Sequence, residues 1–185
     1  LGFEAARVIV IGDAMLDRYV EGTVSRISPE APIPVLKVRR DRSVAGGAAN
    51  TAMNIAALGA STTLIAAWAE DESGRELERV LVGGGVTPIR VRRGDAPTIE
   101  KLRVVAAQQQ IVRVDREELT DLDAAGAKQV LDALERALEA DTGSTVIVIS
   151  DYAKGLLGHD LVAAIMSVAK LREVALVVDP KSSDI

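Results

Sequence analysis

Val44-Ala45-Gly46-Gly47-Ala48-Ala49-Asn50 runs without a break into Thr51-Ala52-Met53-Asn54-Ile55-Ala56-Ala57-Leu58-Gly59, and the rest of the chain is read from this stretch. Ala48, Ala52, Ile55, Ala56 and Gly59 recur at helical spacing, and alanine is the strongest helix former. The paired glycines let the backbone turn and approach another group closely. A helix opened in this way presents unsatisfied N–H groups beside that approach, which suits an anion or a polar ligand. Asn50, in the first turn, adds an amide that both donates and accepts. The same glycines also suit a tight strand-to-helix turn packed beneath a neighbouring strand. The surrounding sequence has to decide between the two.

Upstream, Arg7-Val-Ile-Val-Ile-Gly12-Asp13 reads as a buried strand ending in Gly-Asp. An acid just past the C-terminal end of a parallel strand sits where open α/β sheets bind ligands, and Asp17 can reach the same place. Each also suits a turn or a cap. Between Arg18 and Arg40 two strands are predicted, joined by a stiff extended connection through the three prolines of Ser28-Pro-Glu-Ala-Pro-Ile-Pro34.

Downstream, 62–67 and 86–91 read as strands. They flank a helix over 71–82 that Gly83-Gly-Gly85 stops. Residues 98–106 and 108–115 form a second strand pair, in which Lys101, Arg103 and Arg113 occupy odd positions. If these share a face, three cations line one surface; an ordinary solvated face has the same pattern. The clearest helix spans 121–140, with Asp121 or Asp123 as its cap and Ala127, Val130, Leu131, Leu134 and Leu138 as its buried stripe. A buried strand at 145–150 ends in Asp151, a helix covers 161–171, and a last buried strand at 174–178 ends in Asp179-Pro-Lys181. His159, the only histidine, is expected at a helix cap or on the surface.

Strands alternate with helices, and three of the buried strands end in an acid. This is the pattern of a parallel sheet with helices on both faces and ligands at the strand C-termini. Neither G-x-G-x-x-G nor a Walker motif is present, so dinucleotide and P-loop enzymes are not indicated. Composition agrees. With 185 residues, 48% of them hydrophobic, a core is available, but 2% aromatic content leaves no base-stacking surface, and a net charge of −5 disfavours nucleic acid. Zero cysteines fit a reducing compartment, and no apolar run is long enough to span a membrane. The expectation is a cytoplasmic protein with no nucleic-acid or membrane partner.

Gly46-Gly-Ala-Ala-Asn50 followed by an apolar helix resembles the first signature of the ribokinase-like (PfkB) carbohydrate kinases. Other segments sharpen the match: Gly12-Asp-Ala-Met-Leu-Asp-Arg18-Tyr, Ser25-Arg-Ile-Ser-Pro-Glu-Ala-Pro32, Lys101-Leu-Arg103, Gln109-Gln110, Ser150-Asp-Tyr-Ala-Lys-Gly155 and Asp179-Pro-Lys181. Together they are similar to the heptose 7-phosphate kinases within that family. The resemblance covers nearly the whole chain. It implies a ribokinase-like α/β/α sandwich with a mostly parallel sheet, into which 18–40 and 98–115 insert as a small β-sheet lid. Residues 1–185 would be the N-terminal, sugar-binding part of one such kinase domain.

The implied activity is ATP- and Mg²⁺-dependent phosphorylation of the anomeric hydroxyl of the heptose 7-phosphate. Asp13, Asp17, Gly46, Gly47 and Asn50 would bind sugar hydroxyls. Lys101, Arg103 and Arg113, with Gln110 nearby, would hold the 7-phosphate, and Asp151 and Lys154 would close the sugar site. Asp179 and Lys181 would lie near the nucleotide phosphates and Mg²⁺, with no metal tightly bound. A homodimer through the lid strands is expected. Ser182 departs from the family, which usually has glycine there, and the catalytic base is expected downstream of Ile185. Two alternatives stay open: a ribokinase- or fructokinase-like enzyme, and a non-catalytic sugar-phosphate-binding module.

Overall fold

The computed structural model describes residues 3–139 and 144–181; the expectations placed on Ala140 and Ser182 lie outside the described residues. In chain order the elements are β1 (Ala6–Gly12), β2 (Ala14–Ile27), β3 (Pro34–Gly47), α1 (Ala48–Ala57), β4 (Ser61–Ala67), α2 (Glu72–Gly83), β5 (Val86–Val91), β6 (Glu100–Ala106), β7 (Gln109–Arg116), α3 (Ala124–Glu139), β8 (Ser144–Ser150), α4 (His159–Leu171) and β9 (Ala175–Asp179).

Five strands make a parallel sheet in the order β5-β4-β1-β8-β9. The alternation of β1 explains its place at the centre. Val8 and Val10 face α1 and α2, among Ala48, Ala52, Leu77 and Leu81. Ile9 and Ile11 face α3 and α4, among Val130, Leu134 and Ile165. A strand buried on both faces must be apolar, and β1 is so from Val8 to Ile11. Pro88 is tolerated in β5 because that strand pairs only with β4 and lies at an edge. The helix caps follow the sequence: Asp71 accepts the Gly74 N–H at 2.7 Å and Asp123 accepts the Gly126 N–H at 2.7 Å.

The second sheet has the order β3-β2-β6-β7, with β2 and β6 parallel and the outer pairs antiparallel. It is longer than the sequence suggested. The predicted span 18–40 becomes two fourteen-residue strands, one starting at Ala14 directly after β1 and the other running to Gly47 at the mouth of α1. The cause is the pairing of Ala14 with Gly47, which leaves no connecting loop between the two sheets. Register shifts at Glu21/Gly22 and Val24/Arg26 twist the outer half of the ribbon. The β6–β7 hairpin turns through Ala107 and Gln108, both at positive φ (48° and 68°), as a two-residue primed turn requires.

Candidate functional site

β1 lies between β4 and β8, so the chain leaves its two neighbours in opposite directions beside the C-terminal end of β1. That crevice is where open α/β sheets take ligands. Asp13, Gly46, Gly47 and the start of α1 all meet there. Gly47 is at φ 60°, and a Cβ on it would sit 2.3 Å from the Asp13 carbonyl oxygen. That same oxygen accepts the Ala48 N–H at 2.9 Å, so the glycine is what allows the helix to open against the strand end. A Cβ on Gly46 would lie 2.7 Å from the Asp17 Oδ2, so the second glycine makes room for a carboxylate resting on the turn. Asn50 is exposed in the first turn of α1, and Thr51 Oγ1 lies 3.3 Å from Ser150 Oγ at the end of β8.

Asp13 occupies the crevice but turns inward. Its buried carboxylate accepts the N–H groups of Tyr152 and Lys154 at 3.0 Å and of Leu156 at 3.1 Å. Asp151 does the same one strand over, accepting the Ala153 N–H at 2.8 Å and the Lys181 N–H at 3.1 Å, while its own N–H donates to the Asp179 carbonyl at 3.0 Å. Ala153 is held at φ 53°, in the left-handed region, where a non-glycine residue costs about 1–2 kcal/mol. The two acids that the sequence suggested as ligand contacts therefore hold the 151–156 loop in a strained shape.

The odd-numbered residues of β2 and β6 share one face with Arg113 and Asp115 of β7 and with Arg42 of β3. Arg103 lies opposite Arg113, Lys101 opposite Asp115, Tyr19 opposite Arg42, and Asp17 beside Lys101. Gln110 belongs to this face but sits exposed near the hairpin tip, opposite Val105. Arg103 donates to Asp17 at 2.6 Å, and its guanidinium and that of Arg42 lie 5.2 and 4.3 Å from the Tyr19 ring centre. Lys101 pairs with Asp115 (3.0 Å) and Glu117 (3.3 Å), Arg113 with Asp115 (2.8 Å), and Lys154 with Glu117 (2.8 Å).

The Lys154 hydrogen bond holds the Glu117 carboxyl below the usual carboxylate range, more than offsetting its burial, and Lys101 pulls the same way. Burial pushes the Asp115 carboxyl up, but its bonds to Lys101 and Arg113 outweigh this and leave it lowered. Tyr19, Arg42, Asp115 and Glu117 were not singled out from the sequence. An acid two residues from a cation on one strand looks like any solvated face, and only the register shows which charges meet. Asp179 and Lys181 lie exposed at the end of β9, and among the described residues no three His, Cys, Asp or Glu side chains gather as a metal site. A cleft of about 820 Å³ lies away from this crevice, between the other face of the lid sheet and α2, where its arginines and carboxylates largely pair with one another.

A family model described as pfkB family carbohydrate kinase matches residues 5–184. The chain belongs to the pfkB family of carbohydrate kinases. This pfkB-family chain is 47% identical over 180 residues to the bifunctional protein HldE of Azorhizobium caulinodans, covering 96% of itself and 37% of that protein. It is 46% identical over 184 residues to the HldE of Pseudomonas fluorescens, again covering 37% of the relative. The chain thus spans little more than a third of the length of the curated relatives it matches.

Among solved structures, a carbohydrate kinase from Agrobacterium tumefaciens superposes with a TM-score of 0.68 at 19% identity, over 93% of this chain and 52% of that one. Phosphofructokinase-2 from Escherichia coli in complex with fructose-6-phosphate gives 0.67 at 20% identity, over 96% and 55%. At such identities the likeness establishes the fold: a ribokinase-like α/β core with a mostly parallel sheet and a second small sheet.

Proposed function

We propose that this chain is the sugar-binding part of an ATP-dependent kinase acting on D-glycero-D-manno-heptose 7-phosphate. The reaction phosphorylates the anomeric C1 hydroxyl to give the 1,7-bisphosphate, for ADP-heptose and lipopolysaccharide-core synthesis in the cytoplasm. Family membership, similarity to the HldE proteins and the heptose-kinase motifs all favour this reading. The observation that carries it is the cluster of Lys101, Arg103, Arg113 and Lys154, joined to the Gly46–Gly47 turn through the Arg103–Asp17 contact. A sugar lying on the turn places a remote phosphate among cations, whose donors suit a dianion. An acceptor without that phosphate, as in a ribokinase- or fructokinase-like enzyme, gives the cluster nothing to bind.

In this reading Asp17, Gly46, Gly47 and Asn50 meet the sugar hydroxyls, and Gln110 supports the phosphate end. Asp13 and Asp151 act through the loop they hold, which carries Lys154. Asp179 and Lys181 stand towards the nucleotide phosphates. ATP, with Mg²⁺, supplies the phosphoryl group, and the chain's own contribution is orientation and charge placement. The opposite face of the lid sheet suits a second copy of the chain: Val38, Val112 and Val114 are 54%, 46% and 53% exposed there.

The test is phosphoryl transfer by the protein from ATP to the heptose 7-phosphate, read as anomeric phosphate by phosphorus NMR. Ribose and fructose 6-phosphate serve as competing acceptors. Preferred turnover of either competitor would overturn the assignment.

A further inference from the structure

Glu117 stands one residue beyond β7, where the chain leaves the lid sheet. Its Oε2 alone accepts from both Lys154 (2.8 Å) and Lys101 (3.3 Å), so the two ammonium nitrogens lie within about 6 Å of each other. Lys101 belongs to the lid strand β6. Lys154 belongs to the loop that Asp13 pins to the core. All three side chains are largely covered, 13%, 18% and 23% exposed for Lys101, Lys154 and Glu117. Arg93 fastens the same junction by donating to the carbonyls of Lys154 and Glu118. Without the carboxylate, two like charges would face each other across the joint between lid and core, and would separate. With it, neither cation is exhausted: Lys101 uses two donors on Asp115 and Glu117, Lys154 one on Glu117, and an ammonium has three.

We propose that Glu117 is a positioning residue: it gathers the lid cation Lys101 and the core cation Lys154 into one phosphate subsite, although its own charge has the sign of the ligand. The inference rests on the reading of the substrate as a sugar phosphate. The sign of the effect separates it from plain electrostatics. Removing a negative charge beside an anion site should tighten binding of the anion if field alone mattered. If Glu117 acts by positioning, removal loosens binding, and only for the phosphorylated sugar.

The experiment is calorimetric titration of wild-type protein, Glu117→Gln and Glu117→Asp with the heptose 7-phosphate and with the free heptose. Glu117→Gln is expected to weaken the 7-phosphate by about tenfold, the loss of roughly one charge-assisted hydrogen bond, and the free heptose by less than twofold. Glu117→Asp, which keeps the charge, is expected to bind the 7-phosphate more tightly than Glu117→Gln does. Unchanged or tighter 7-phosphate binding by Glu117→Gln, or an equal loss for both sugars, overturns the inference. A wild type that binds the two sugars equally overturns the sugar-phosphate reading and this inference with it. A discriminating wild type matched by Glu117→Gln overturns this inference alone.

Discussion

The central parallel sheet and the four-stranded sheet beside it meet different surroundings. In β1 and β4 side chains on both faces are covered by helices, and Ile9, Ile11, Leu64 and Ile65, with Ile147 and Ile149 of β8, are wholly inaccessible. In β2, β3, β6 and β7 one face carries the cluster of ion pairs around Lys101, Arg103 and Arg113, and the other carries valines open to solvent beside a few further ion pairs. Burial of apolar surface stabilises the first at about 25 cal/mol per Å². Ion pairs that stay partly wet contribute about 0–1 kcal/mol each, so the second is held by backbone pairing and by its junctions with the core. Substitutions in the parallel sheet should therefore be read in stability, and those on the charged face of the lid in ligand selectivity.

The hardest test of that division is Gly12→Ala. A Cβ there would lie 2.0 Å from the Ser150 carbonyl oxygen and 2.9 Å from Ala48 Cβ, in contact with backbone that cannot yield. The expected loss is about 4 kcal/mol or more, seen in urea unfolding as a large drop in midpoint or as failure to fold. Leu134→Ala, in the layer between α3 and the sheet, is expected to cost about 2–5 kcal/mol by the same measurement.

On the lid, Arg113→Ala should move the unfolding midpoint little, since its pair with Asp115 is half exposed. It should weaken the heptose 7-phosphate by about one to two powers of ten and leave the free heptose unchanged. Equal losses for both sugars, or a large stability change, would erase the contrast between the sheets.

The smallest effect is a pH dependence. The folded carboxyl of Glu117 titrates below its ordinary value of 4.5 because Lys154 and Lys101 hold it ionised. Its contribution is then fully present above pH 4.5 and is lost as the pH falls through the lowered value. Wild-type stability should accordingly fall towards that of Glu117→Gln in acid, with the two curves parallel at neutral pH. A constant gap at all pH values would mean the charge plays no part.

Much of the parallel sheet could be read in advance because burial on both faces leaves no choice of residue: Val8 to Ile11 admit little else. β8 is deeply buried at Ile147 and Ile149, while β9, expected as a buried strand, is largely exposed because it is an edge strand. Asp71, Asp123 and Gly83 to Gly85 marked helix ends for local reasons that need no tertiary knowledge. The lid was legible as strands but not in extent, since charged residues at Arg39 to Arg42 hide a strand whose partner is already fixed by Ala14 and Gly47. At the site, the odd-position cations do share a face. The carboxylates that orient them were invisible, because Asp115 and Glu117 meet Lys101 only through the hairpin, and Glu117 meets Lys154 only through the fold. Asp13 was visible as an acid at a strand end. Its inward turn onto three backbone N–H groups depends on a loop nearly 140 residues away.

That separation bears on how the molecule comes into being. Of the five described strands of the parallel sheet, the one earliest in this chain lies in the middle, and its partner β8 follows only after more than a hundred further residues. Until then Val8, Ile9, Val10 and Ile11 have β4 on one side and an open edge on the other. Long-range pairing of this kind is slow and leaves sticky intermediates. The Asp13 contacts to Tyr152, Lys154 and Leu156 can form only once that wait is over. A nascent chain thus carries its glycine turn and its lid strands well before the loop that brings Lys154 to them.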